Sequence, residues 1–293
     1  MRRTNRWIAL ILFLAILLST GVVSVSAARL TPLYVAFGDS ISRGYGLADI
    51  PTQAFPNLLA DRIGYTLSNY AVDGYTAEDI YNLISDGKFD EEIKEAQLIT
   101  ITCGGNDLMA TLYDHIAVEY NALNEPDITP KDVLVALDGR HPSITQAEIL
   151  LYATGILSNF TAEDTFKKGL SDYTQNLTKL MQYLRSINPD VKIIIPTQYS
   201  PYEVFRNSFI FRLLYTEVEA GVVELNKVIR AQASVLGYTV SDVYSAFKAK
   251  APTNLCNANA YDYLAPNLDF HPNARGHAAK AETVYTNFAH QHS

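Results

Sequence analysis

Between residues 30 and 290 the chain alternates two hydrophobic periods. Short runs of β-branched and aliphatic residues, each closing on glycine or polar residues, predict five strands. They are "LYVAFGDS" (33–40), "YTLSNYAVDG" (65–74), "AQLITITCGGND" (96–107), "VKIIIPTQYSPY" (191–202) and "YTVSDVYSAF" (238–247). Longer stretches between them carry apolar residues at three- and four-residue steps, the spacing of a one-sided helix. Phe166, Leu170, Tyr173, Leu177, Leu180 and Leu184 form one such series, and Leu214, Val218, Gly221, Leu225 and Val228 another. A last helix is expected to open at Asn273 and to turn Ala278, Ala281, Tyr285 and Phe288 inward. Strands alternating with helices over one continuous stretch predict an α/β domain built on a parallel sheet.

Residues 108–165 break this rhythm. They hold helical fragments, Pro126, Pro130, Pro142 and the acidic "NEPD", and are expected to form a helical insertion capping one side of the sheet. No repeat or low-complexity linker divides the chain, so residues 29–293 read as a single domain.

The N-terminus has a different pattern. Arg2, Arg3 and Arg6 precede an unbroken apolar run from Trp7 to Leu18, and "VSVSAA" (23–28) ends in small residues. This predicts a signal peptide over residues 1–28, cut after Ala27 or Ala28, and a secreted protein. The competing reading is an uncleaved anchor helix, but Ser19, Thr20 and Gly21 interrupt the run short of the ~20 residues a span needs. No stable membrane anchor is therefore expected. Losing the three arginines takes the formal charge from -8 to -11. An acidic chain with scattered Lys and Arg excludes nucleic acid as a partner and disfavours anionic membrane surfaces. Cys103 and Cys256 are the only cysteines. Export would permit a bridge between them, and two buried thiols are the alternative. Neither lies in a Cys/His cluster, so no metal site is expected.

In open parallel sheets ligands bind at the carboxyl ends of the strands. Here those ends carry Gly38-Asp39-Ser40, Asp73-Gly74, Gly104-Gly105-Asn106-Asp107 and Tyr199-Ser200-Pro201-Tyr202. Ser40 stands where a strand turns into a helix, which suits a nucleophile and equally suits a helix cap. A serine nucleophile needs a base. Of six histidines, His290 and His292 lie in the tail, His115 and His141 in the insertion, and His277 within the last helix. Only His271 occupies a loop at the sheet edge that holds Ser40, ahead of the rigidifying Pro272. In a flavodoxin-like strand order Gly74 and Asn106 end the strands on either side of the first. A glycine N–H and an asparagine amide there could hold a developing oxyanion, though each also suits a plain turn.

The motifs "FGDSIS", "NYAVDGYTAEDI", "CGGNDL" and "HPNARGH", in this order, resemble those of the GDSL esterases and lipases, the SGNH hydrolases. The resemblance covers nearly the whole chain after residue 33 except the insertion. It implies a three-layer α/β/α sandwich and a serine esterase. It also implies that Ser40 is the nucleophile and an oxyanion donor, that Gly74 and Asn106 are the other donors, and that His271 is the base. No cofactor is implied.

One position departs from the family pattern. The acid usually lies three residues before the histidine, where this chain has Leu268, and Asp269 stands at minus two. Either Asp269 reaches the Nδ1 side of His271, or a backbone carbonyl such as that of Leu268 orients the ring. Asp269 is favoured, because a carboxylate stabilises imidazolium better. Tyr45, Tyr75 and Tyr202 lie near strand ends and are expected to line the substrate site. The expected substrate is a small-molecule or lipid ester. Carbohydrate O-deacetylation, (phospho)lipase and thioesterase activities suit the same site. A non-catalytic binding protein keeping this fold is the alternative from another class.

Overall fold

The computed structural model describes residues 31–209, 211–251, 254–259, 261–262 and 266–289. The expected leader, and the tail histidines His290 and His292, lie outside these residues. Among them no helix is long and apolar enough to cross a membrane.

The elements in chain order begin with β1 (Leu33–Gly38), α1 (Ser40–Arg43), α2 (Ile50–Gln53), α3 (Phe55–Ile63), β2 (Thr66–Asn69), α4 (Ala77–Ile84) and α5 (Asp90–Glu95). There follow β3 (Ala96–Thr102), α6 (Gly105–Asn121), α7 (Pro130–Leu137), α8 (Gln146–Ile156) and α9 (Asp164–Ile187). The chain then forms β4 (Lys192–Pro196), α10 (Arg212–Leu236), β5 (Thr239–Ser241), α11 (Val243–Ala249) and α12 (Ala274–Ala289). All five strands are parallel, in the order β2-β1-β3-β4-β5, the flavodoxin-like arrangement with its switch point beside β1.

The side-chain alternation of the strands divides the core in two. Val35, Phe37, Ile99, Ile101, Ile193 and Ile195 face one layer of helices, including α4 and α9. Tyr34, Ala36, Leu98 and Ile194 face α3 and α12 on the other side. A sheet buried on both faces explains why these strands read as continuous apolar runs rather than alternating ones. Segment 108–165 is helical. Leu112, Ile116, Val133, Ile149 and Leu150 pack with Phe166, Leu214 and Val218 into a further apolar cluster at the starts of α9 and α10.

Several expectations are corrected. Each strand is shorter than its apolar run. In "YTVSDVYSAF" only 239–241 is strand, because the Asp242 side chain accepts the Ser245 N–H and starts α11. In α12 Ala278 faces solvent, whereas Ala279 and Lys280 are buried. Asn273 caps that helix, its side chain accepting the N–H groups of Arg275 and Gly276. Cys103 and Cys256 are free, buried thiols rather than a bridge.

Candidate active site

β1 ends at Gly38, with φ of 144°. A Cβ there would stand 2.2 Å from Thr102 Oγ1 and 2.8 Å from the Thr102 carbonyl oxygen. Only glycine lets the ends of β1 and β3 meet this closely. Asp39 then caps α1, accepting the Ile41 N–H at 3.0 Å and the Thr102 hydroxyl at 2.7 Å. Burial pushes the Asp39 carboxyl up, against the lowering pull of the Thr102 hydroxyl, the Lys280 charge and the Ile41 N–H. Because Asp39 does the capping, the Ser40 hydroxyl is free to point elsewhere, and it meets His271 Nε2 at 2.8 Å.

The His271 loop is held by a short antiparallel pairing absent from the strand pattern. Asn259 and Asn267 exchange backbone hydrogen bonds of 2.9 and 3.0 Å, and Asn257 N–H donates to the His271 carbonyl at 2.9 Å. Within this loop Asp269 Oδ1 accepts the His271 N–H at 3.0 Å and lies 2.6 Å from His271 Nδ1. The minus-two spacing works because one carboxylate oxygen closes a tight turn and meets the ring together. Asp269 Oδ2 accepts the Asn257 amide at 2.9 Å. Burial raises the Asp269 carboxyl, but the His271 ring and N–H, the Asn257 amide and the His271 charge outweigh it and leave it below its ordinary value. The Leu268 carbonyl, the alternative orienting group, accepts the Tyr202 hydroxyl at 3.0 Å instead.

Gly74 follows β2 with φ of 81°, and nothing lies within 4 Å of where a Cβ would be, so the space beside this backbone is open. The Asn106 amide, at the start of α6, donates to the Tyr75 carbonyl at 2.8 Å, and the half-buried Asp107 carboxylate accepts the Gly104 and Ala77 N–H groups, each at 3.1 Å. These bonds tie the loops after β2 and β3 together. Burial pushes Asp107 up to about 6, against those backbone donors. Ser40 and Asn106 line one small cavity.

Tyr45 lies with its ring centroid 4.6 Å from that of His271, and Tyr202 lines the cavity beside Asp269. Tyr75 packs its ring on the sheet core and meets the site through its carbonyl. Sequence reading missed Asn257, Asp107, Phe270, whose ring stacks on His271, and Tyr199, whose hydroxyl donates to the Phe270 carbonyl at 3.0 Å. Asp107 adjoins Asn106 in "GGND", a signal of a kind; Asn257 and Phe270 carry none without the pairing that brings them in. The remaining described histidines have other surroundings. His277 is buried, accepts the Phe55 N–H at Nδ1, and is held down at about 3 by burial, then by the Lys280 and His271 charges. His115 packs on Phe160. No group of three or more His, Cys, Asp or Glu side chains among the described residues is placed to hold a metal ion.

A hydroxyl, an imidazole and an ionised carboxylate in series form a path along which the hydroxyl can lose its proton as it attacks an electrophile. The profile of the GDSL-like lipase/acylhydrolase family matches residues 36–279. The chain belongs to that family, and it is a hydrolase with the family's three-layer fold.

Among solved structures, phospholipase A1 from Streptomyces albidoflavus NA297 superposes with a TM-score of 0.57 at 18% identity, over 88% of this chain and 99% of that one. The extracellular lipase of Streptomyces rimosus gives 0.58 at 16% identity, over 88% and 100%. Uncharacterized protein YpmR of Bacillus subtilis (strain 168) is 21% identical over 85% of this chain and 78% of its own length.

Proposed function

We propose that the protein is an exported carboxylester hydrolase working through an acyl-enzyme on Ser40. The observation that carries this reading is the unbroken series from Ser40 Oγ through His271 to Asp269, with contacts of 2.8 and 2.6 Å. In the first half-reaction Ser40 Oγ attacks the ester carbonyl while His271 Nε2 takes its proton. The Ser40 and Gly74 N–H groups and the Asn106 amide receive the oxyanion. The tetrahedral adduct collapses, His271 returns the proton to the departing alcohol, and the acyl group stays on Ser40. Water then attacks the acyl-enzyme with His271 again as base, releasing the carboxylic acid and restoring the hydroxyl. Asp269 holds the Nδ1–H tautomer and stabilises the imidazolium formed in each half. Every proton is accounted for by these residues and water.

A family described as lipases and acylhydrolases supports ester chemistry, and the charged, apolar and small-residue order of residues 1–28 supports export. Purified Ser40→Ala assayed on p-nitrophenyl acetate tests the nucleophile, and retained turnover refutes it. A fluorophosphonate should phosphonylate Ser40 of the wild type with loss of fluoride, a mass gain that locates to that residue. A chain that stays unlabelled is a binding protein on this fold. N-terminal sequencing of the exported form should find a start after Ala27 or Ala28.

A further inference from the structure

The site opens on two spaces that share a wall, the smaller almost wholly apolar and the larger of mixed lining. The first, about 40 Å³, touches Ser40 and Asn106 and is walled by Leu108, Val218 and Val222. The second, about 410 Å³, is lined by Tyr45, Asp269 and His271 and, from α6, α7 and α8, by Leu112, Ile116, Leu134, Leu150 and Ala153. Met109 and Phe270 line both. The first space holds roughly three water-sized groups, while the second falls in the ~300–1,000 Å³ range of ligand pockets.

We infer that the 108–165 insertion is a chain-length chamber: the acyl group of the substrate starts in the small space at Ser40 and continues past Met109 and Phe270 into the larger one, which selects esters of medium to long fatty acids. The inference rests on the esterase reading of Ser40 and deepens it. The carbonyl carbon must stand between Ser40 Oγ and the Asn106 amide, so the first carbons of the acyl group fall in the small space. That space is filled after a few atoms. A longer chain must leave it, and the larger volume lies across the wall made by Met109 and Phe270. The insertion supplies most of that volume's apolar lining through three helices, with Asp138 and Gln146 as its polar members on α7, α8 and the turn between them. An alkyl chain suits the aliphatic stretch formed by Leu112, Ile116, Leu134, Leu150 and Ala153, where a hydroxyl would find no partner.

The test is kinetic, with two substrate series. One holds p-nitrophenol constant and varies the acyl group from acetate through butyrate and octanoate to decanoate. The other holds acetate constant and lengthens the alkyl alcohol. Ala153→Phe puts a ring into the chamber, and Met109→Ala opens the shared wall. In the acyl series Ala153→Phe should lower the decanoate-to-acetate ratio of kcat/KM by about tenfold or more, a discrimination of the size hydrophobic pockets achieve. Met109→Ala should raise the same ratio. If neither ratio moves, the chamber does not hold the acyl chain. If only the alkyl-acetate series responds, the chamber holds the alcohol, and the inference is again overturned. Labelling by a small fluorophosphonate separates this from the underlying reading. A wild type that is not labelled refutes the Ser40 reading itself, whereas a labelled wild type with unmoved ratios refutes the chamber alone.

Discussion

Lys280 lies fully buried on α12, and its ammonium finds no hydrogen-bond acceptor among the described residues. Its Nζ stands 5.1 Å from the Phe55 ring centroid and 5.7 Å from that of Tyr199. Burial depresses its pKa to about 8, even with the Asp39 charge pulling it back up. Against an ordinary value of ~10.4, and at about 1.4 kcal/mol per pKa unit, holding the charge in the core costs about 3 kcal/mol at neutral pH. Lys280→Met keeps most of the aliphatic stem and removes that cost. It also forfeits contacts between the ammonium and the two rings, worth about 1 kcal/mol, while the pull of Asp39 is already contained in the depressed value. The net expectation is a stabilisation of about 2 kcal/mol, the desolvation cost carried by the depressed Lys280 pKa less the lost ring contacts.

The pH dependence follows from the direction of the shift. Below about pH 8 Lys280 is protonated in both states and the folded protein bears the full cost. Between pH 8 and ~10.4 the folded state has released its proton while the unfolded state still binds one, so wild-type stability rises with pH through that window. The advantage of Lys280→Met should therefore shrink steadily there. Urea unfolding at a series of pH values, with m unchanged, measures it. Other groups titrate in both proteins and largely cancel in the difference. A variant less stable than wild type at neutral pH, or a gap constant up to pH 10, refutes the reasoning.

Other consequences concern the relay and its donors. Asp269→Ala should lower kcat by about 10³–10⁴, a large loss but smaller than that in His271→Ala; a loss under about tenfold would mean that a neutral carbonyl suffices. Asp269 is held below its ordinary value, so its contribution to stability is present above ~pH 3.9 and fades as pH falls through the depressed folded-state value. The stability gap between wild type and Asp269→Asn in urea should close in that acid range, and a gap that widens there contradicts the assignment. Asn106→Ala should cost about 10²–10³ in kcat with a smaller change in KM; a pure KM effect would make the amide a binding group only.

The parts of this protein legible in its sequence are those whose causes are local. A run such as "LITIT" is apolar at every position because both faces of its strand are buried, and that pattern needs no knowledge of the neighbours. The series from Phe166 to Leu184 reads as a helix for the same reason, since one face alone is covered. The candidate nucleophile and base were also legible, because glycines and polar residues collect at strand ends. Strand lengths were overread, because Asp242 and Gly105 begin helices inside apolar stretches, and a cap is a contact made only once the turn exists.

What the tertiary structure decided is long-range. Asp39 rather than Ser40 caps α1, which leaves the serine hydroxyl for an imidazole 231 residues away. The minus-two spacing of Asp269 became workable through pairing with Asn257 and Asn259, a polar stretch with no strand signature. Lys280 interrupts an otherwise apolar face, and its burial follows from Asp39, Phe55 and Tyr199, which come from three distant segments. The sequence marks 108–165 as helical fragments, but not that these helices leave a space beside His271. Periodicity records which side of an element is covered; it carries no information on the distance to whatever covers it.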